Sequence, residues 1–212
     1  MRYKGIIFDL DGVICFTDQY HYQAWKALAD EIGVYFDETI NNRLRGVSRM
    51  ACMDIILEKS EKTYTQEEKV AMAEKKNGMY IEMLKQMSPA DLSPEVKETL
   101  DTLRAAGTKL AIGSSSKNAK RILGCIGLGD YFDAISDGTN ISHSKPDPEV
   151  FLKGAEFLGL APADCLVVED ALAGIDAAVA GGFDGAGIGE AATHPQVRWK
   201  LERFSDLRKV LE

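Results

Sequence analysis

The sequence predicts an α/β chain: a parallel sheet covered by helices, with an all-helical domain inserted after the first strand. Three observations predict it. Between residues 94 and 190, short apolar runs alternate strictly with segments of helical period, the mark of a parallel sheet. Between residues 18 and 88 the pattern is helical only. Finally, Gly5-Ile6-Ile7-Phe8 is a lone apolar run whose strand partners must come from the later repeats. The expected domains are 1–14 joined to 92–212, and an insertion over 15–91.

Each element has its own signal. The first run stops at Asp9, with Gly12 turning the chain. Trp25, Leu28, Ala29 and Ile32 fall at helical spacing, and Gly33 stops that helix. Met50, Met53, Ile56 and Leu57 form a second stripe. A longer helix from about Thr65 carries Met72, Met79, Met83 and Met87 on one face, read as core of the insertion. Ser88-Pro89-Ala90-Asp91 breaks the pattern. Helices marked by Val96, Leu100 and Leu103, by Ile122, Leu123 and Ile126, by Val150, Gly154, Phe157 and Leu158, and by Leu172, Ile175 and Val179 then alternate with strands at 109–112, 132–135, 165–168 and 186–188. Ser205-Asp206-Leu207 reads as a final helix start.

Composition narrows the function classes. With 45% hydrophobic and 27% charged residues the chain has the means to bury a core, which excludes disorder. A net charge of −8 offers no basic surface to nucleic acid or anionic lipid, so an anionic ligand needs a local arrangement of donors. No apolar run approaches the roughly 18 residues that span a bilayer, and the first residues do not read as a signal peptide. Cys15, Cys52, Cys125 and Cys165 lie far apart, so the expected setting is the reducing cytoplasm.

Ligands of open parallel sheets bind at the carboxyl ends of the strands. Those ends carry Asp9-Leu10-Asp11, Ser114, Lys145 in the loop Ser144-Lys145-Pro146-Asp147, and Glu169-Asp170. Four carboxylates gathered at one edge repel one another unless a divalent cation joins them, and hard oxygen donors favour Mg²⁺. A lysine and a hydroxyl opposite suit a phosphoryl group. One aspartate can then act as nucleophile and its neighbour two residues on as proton carrier. Each residue alone also has a plainer explanation. Ser114 suits a cap for a helix beginning near Lys117, Lys145 a solvated loop cation, and Glu169-Asp170 a cap for the next helix.

Phe8-Asp9-Leu10-Asp11-Gly12-Val13, Ser114, Lys145-Pro146 and Val168-Glu169-Asp170 with Gly174 resemble the four motifs of the haloacid dehalogenase superfamily of phosphotransferases. The resemblance spans residues 4 to about 189 and implies a Rossmann-like core with a helical cap. Within that superfamily, the segments 20–29, 44–49, 75–77, 88–91 and 116–118 resemble the hexose-phosphate mutases. That resemblance implies a monomeric enzyme interconverting β-glucose 1-phosphate and glucose 6-phosphate, with β-glucose 1,6-bisphosphate as primer and intermediate. Asp9 is then the phosphorylated residue and Asp11 the proton shuttle, with Ser114 and Lys145 steadying the phosphoryl group. Mg²⁺ is held by Asp9, the backbone carbonyl of Asp11, Glu169 and Asp170. His21, Trp25, Gly46, Val47, Ser48, Arg49, Lys76, Ser115, Ser116, Lys117 and Asn118 are the implied substrate-binding residues, and Thr17 the implied hinge.

Without the resemblance, His21 reads as a packed core histidine, Arg49 as a solvated helix-start cation, and Lys76 as part of a charged face with Glu74 and Lys75. Cys15-Phe16 departs from the polar pair that relatives carry there, and Ser115 stands where close mutases have alanine. A phosphatase of small sugar phosphates or phosphoglycolate is the alternative function. A non-catalytic signalling receiver also gathers acids, a hydroxyl and a lysine, but receivers resemble single domains of about half this length, with their phosphorylated aspartate at a central strand of the chain order.

Overall fold

The computed structural model describes residues 2–44 and 47–211. The chain divides into two compact units, one formed by residues 1–16 and 88–212 and the other by 17–87. Strand β1 (Gly5–Phe8) opens the first unit and is buried along its whole length, as a central parallel strand must be.

The helical unit follows. Helix α1 (Asp18–Ile32) buries Ala24, Trp25, Leu28 and Ala29 and ends at Gly33. A short helix α2 (Glu38–Asn42), which carries no clear signal in the sequence, is capped by Asp37, whose Oδ1 accepts the Ile40 amide at 2.9 Å. Helix α3 (Arg49–Leu57) is capped by Ser48, and α4 (Gln66–Leu84) by a reciprocal Thr65–Glu68 capping box. Trp25, Leu28, Phe36, Met53, Ile56 and Ala73 meet in one apolar cluster. The methionine stripe is not the inner face of α4. The buried face of α4 is Ala73, Lys76, Tyr80 and Leu84, and Met72, Met79 and Met83 flank it half-buried. Met72 packs against the apolar cluster and Met87, just past α4, is buried, whereas at Met79 and Met83 the stripe is displaced by one residue, since Tyr80 and Leu84 occupy the inner positions.

The first unit resumes with α5 (Pro94–Ala105), β2 (Lys109–Gly113), α6 (Ala119–Cys125), β3 (Ala134–Ser136), α7 (Glu149–Leu158), β4 (Cys165–Glu169), α8 (Leu172–Ala180), β5 (Asp184–Ile188) and β6 (Trp199–Leu201). The strands form one six-stranded parallel sheet in the order β3-β2-β1-β4-β5-β6. Ile7 and Phe8 face opposite sides of it. Ile7 packs with Ala111, Phe151, Ala155 and Val167 under α7, whereas Phe8 stacks on Phe204 at 5.8 Å. Strand β3 begins two residues later than the apolar run at 132 implies, since Asp133 turns its carboxylate onto the Leu110 amide. Phe157 is exposed, and the buried face of α7 is Val150, Phe151, Gly154, Ala155 and Leu158. Strand β6 is an edge strand of three residues that the sequence does not announce, and residues 204–211 form a 3₁₀ helix.

Register decides what meets at the carboxyl edge. Phe8 lies level with Ile112 of β2 and with Val168 of β4. The next residue on each strand is Asp9, Gly113 and Glu169, so Asp9 just past β1 and Glu169 at the end of β4 stand side by side, with Ser114 following β2 beside them.

Candidate active site

Asp9, Ser114, Lys145 and Glu169 are all buried. The Asp9 amide donates to the Val168 carbonyl at 2.9 Å, which continues the sheet one residue past β1 and fixes the direction of the side chain. Lys145 comes from the loop before α7 and is only 6% exposed, so it is not a solvated loop cation. Its Nζ donates to Asp9 Oδ1 and to Glu169 Oε1, each at 2.5 Å. Glu169 Oε2 accepts the amides of Asp170 and Ala171 at 3.0 Å each, where the positive end of α8 favours an anion.

Carboxylate oxygens of Asp9, Glu169 and Asp170 all lie within 4.8 Å of one another. Two glycines make room for them. A Cβ on Gly174 would fall 1.9 Å from the Glu169 carboxyl carbon. Gly12, at φ +89°, has Asp170 Oδ2 where its own Cβ would stand, 2.1 Å away. The electrostatics follow. Burial and the neighbouring Glu169, Asp170 and Asp11 charges push the Asp9 carboxyl well above the usual carboxylate range, against the pull of Lys145. Burial and Glu169 push Asp170 up to about 7. Burial disfavours the Lys145 ammonium, but the Asp9 and Glu169 charges outweigh it and raise its pKa.

With all three acids ionised, one lysine leaves two negative charges unmatched, which is the charge of one divalent cation. The donors are all oxygen, the set that a hard ion such as Mg²⁺ takes. Asp11 is half-buried and stands outside the three-carboxylate group. Cys15 is buried, and burial raises its thiol pKa, with Asp11 adding to the effect.

Ser114 is not a helix cap. Helix α6 begins at Ala119, and Ser114 Oγ accepts the Ser116 amide at 3.2 Å. Ser116 Oγ in turn accepts the Asn118 amide, Lys117 is exposed, and Ser115 Oγ is buried with no hydrogen-bond partner among the described residues. Glu169, likewise, is not a helix cap: the two amides it accepts lie ahead of α8, whose N-cap is Ala171, and its other oxygen holds Lys145.

In the helical unit, Lys76 is 4% exposed, which overturns the solvated-face reading. Its Nζ lies 2.8 Å from His21 Nδ1, 4.4 Å from the centre of the Trp25 ring and 4.8 Å from that of Tyr80. His21 stacks on Tyr80 at 4.1 Å. An ammonium has only donors to offer, so Nδ1 is the acceptor. Burial, Lys76 and Arg49 hold the His21 pKa well below the usual histidine value, and the ring is neutral. Arg49, half-buried, donates to Asn77 Oδ1 at 3.0 Å. Ser48 Oγ caps α3 through the Ala51 amide, Val47 is exposed, and Thr17 is buried at the start of α1, its carbonyl accepting the Tyr20 and His21 amides. Gly46 lies outside the described residues. Tyr80 and Phe151, whose rings support the two buried lysines, are not singled out in the sequence. The signal for Tyr80 is its place one helical turn after Lys76.

A parallel sheet whose carboxyl edge gathers an aspartate pair, a serine, a lysine and a second acid pair defines a class, and the chain belongs to it. It is a member of the haloacid dehalogenase-like hydrolase family, whose model matches residues 3–182. Among its relatives, β-phosphoglucomutase of Bacillus subtilis is 41% identical over 206 residues, covering 96% of this chain and 91% of that protein. A fructose-1-phosphate phosphatase of Escherichia coli is 32% identical, covering 88% of this chain and 97% of its own. The crystal structure of β-phosphoglucomutase from Clostridium difficile matches with a TM-score of 0.90 at 37% identity, covering 97% of this chain and 93% of that one. The protein is an enzyme similar to these mutases, and among the described residues no helix is long and apolar enough to cross a membrane.

Proposed function

We propose that the protein is a Mg²⁺-dependent mutase that interconverts β-glucose 1-phosphate and glucose 6-phosphate through an aspartyl phosphate and β-glucose 1,6-bisphosphate. The observation that carries this reading is the Asp9, Glu169 and Asp170 cluster bridged by Lys145. The identity to a β-phosphoglucomutase over nearly the whole chain supports the choice of substrate.

Asp9, the backbone carbonyl of Asp11, Glu169 and Asp170 would hold Mg²⁺, which when bound offsets the charge of the phosphoryl oxygens. The remaining chemistry belongs to the chain. Asp9 attacks the phosphorus of the bisphosphate, the bond from phosphorus to the sugar oxygen breaks, and Asp11 protonates that oxygen. In the return step a sugar hydroxyl gives its proton to Asp11 and attacks the phosphorus, releasing Asp9. Ser114 and Lys145 donate hydrogen bonds to the moving phosphoryl group. Arg49, and the segment Ser115, Ser116, Lys117 and Asn118, are the proposed anchors for the phosphate that does not react. Val47, Ser48 and Gly46 are assigned to the sugar together with Trp25, His21 and Lys76, and Thr17 to the hinge. The enzyme is proposed to act as a monomer in the cytoplasm, a setting consistent with its four free cysteines.

A phosphatase is the second reading, favoured by the 30–32% identity to phosphatases of phosphorylated carbohydrates and of fructose 1-phosphate. The two readings differ in whether a sugar hydroxyl or water takes the phosphoryl group. Purified enzyme with Mg²⁺, β-glucose 1-phosphate and a bisphosphate primer should form glucose 6-phosphate in large excess over free phosphate, with the α anomer inert. Free phosphate as the main product would establish the phosphatase instead.

A further inference from the structure

We propose that Phe151 is a positioning residue for Lys145, holding the ammonium at the phosphoryl site through the face of its ring. The inference rests on the phosphoryl-transfer reading above for its consequence, but its geometry stands apart. Lys145 Nζ lies 4.7 Å from the centre of the Phe151 ring, within the range at which a cation is attracted by the negative face of an aromatic ring. Phe151 is fully buried, in the first turn of α7. Its ring cannot swing away. Gly113 of β2 leaves no space even for a Cβ, which would fall 2.7 Å from Phe151 Cδ1, and Phe183 meets the ring edge-on at 6.3 Å and 69°.

The chemistry gives such a partner a purpose. Lysine is a flexible side chain, and this one stands on a loop, so its position depends on what surrounds Nζ. Two of the surrounding groups are Asp9 and Glu169. Asp9 gives up its carboxylate when it is phosphorylated, and its hold on Lys145 changes in every turnover. The Phe151 ring has no titratable or reacting group. Its attraction is the same before and after transfer, and it does not compete as an oxygen acceptor for the Lys145 N–H donors that the phosphoryl oxygens need.

Fluorinated phenylalanines test this, because added fluorines withdraw the negative potential of the ring face while changing its volume little. The full chain with Mg²⁺ is compared carrying phenylalanine, the 4-fluoro, the 3,4-difluoro and the 3,4,5-trifluoro analogue at position 151. The rate of phosphoenzyme formation from acetyl phosphate should fall stepwise, by about tenfold at the trifluoro ring, with KM and melting temperature little changed. Phe151→Leu, which keeps an apolar side chain there, should lose at least as much rate. Independently, the ¹⁵Nζ signal of Lys145, assigned by its disappearance in Lys145→Met, should exchange with solvent faster at each step of the series. Rate and exchange that ignore the fluorines overturn the proposal, as does a rate loss that only follows melting temperature. If the wild-type protein accepts no phosphoryl group, the functional reading fails, and the exchange series alone still decides whether Phe151 holds Lys145.

Discussion

Lys145 in the sheet unit and Lys76 in the helical unit are both nearly inaccessible to water, yet their surroundings solve the same problem differently. Lys145 sits between two carboxylates, each 2.5 Å away, with an aromatic ring beyond. Lys76 sits against the faces of Trp25 and Tyr80 and beside a neutral histidine. A buried ammonium costs several kcal/mol in lost hydration, and direct charge pairs offset that more strongly than ring faces do. The difference fits the proposed roles. Full charges are needed where a phosphoryl group and a metal compete for the same oxygens, and a softer environment suits a cation meant for sugar hydroxyls.

The largest expected effect is on the acid side. Asp9→Asn should abolish phosphoryl transfer while the circular dichroism spectrum stays that of the folded protein, since an amide cannot form the acyl phosphate. Residual transfer within tenfold of wild type would remove Asp9 from the reaction. Next in size is the metal. Excess chelator should abolish turnover, and Ca²⁺ should restore it poorly, because its longer and more numerous bonds do not reproduce a compact octahedral shell. Full activity with Ca²⁺ would mean that the three-carboxylate group does not demand a small ion.

Double-mutant cycles on stability sharpen the contrast itself. In metal-free protein, Lys145→Met with Glu169→Gln should show a coupling of about 3 kcal/mol, and Lys76→Met with Trp25→Leu about 1 kcal/mol. Equal couplings would erase the distinction between the two environments. The smallest effect concerns His21. Its folded pKa is depressed, so below about pH 6.5 the unfolded chain binds a proton that the folded one refuses, and stability is lost as pH falls. Urea unfolding at pH 7.5 and 5.5 should show wild type losing about 1 kcal/mol more than His21→Asn. Parallel losses would place a charged histidine beside Lys76.

Legibility in the sequence followed the same division. Asp9, Ser114 and Glu169-Asp170 each come directly after an apolar run, and parallel register then brings the ends of such runs together. The core of the site was therefore readable one strand at a time. The burial of Lys76 was not, because the Trp25 ring and His21 reach it from a helix more than fifty residues away in sequence. Tyr80 and Leu84 displaced the methionine stripe at Met79 and Met83. Strand β6 and helix α2 carry no readable pattern, because three and five residues are too few to show a period.

In the proposed reaction Asp9 is the nucleophile and Asp11 its proton carrier. The direct test is to incubate the Mg²⁺-loaded enzyme with acetyl phosphate, quench it during turnover, reduce the acyl phosphate with borohydride, and locate the modified residue by peptide mass spectrometry. Modification at Asp9, absent in Asp9→Asn and retained in Asp11→Asn, is the predicted result. Modification at Asp11, or at neither residue while turnover proceeds, would contradict it.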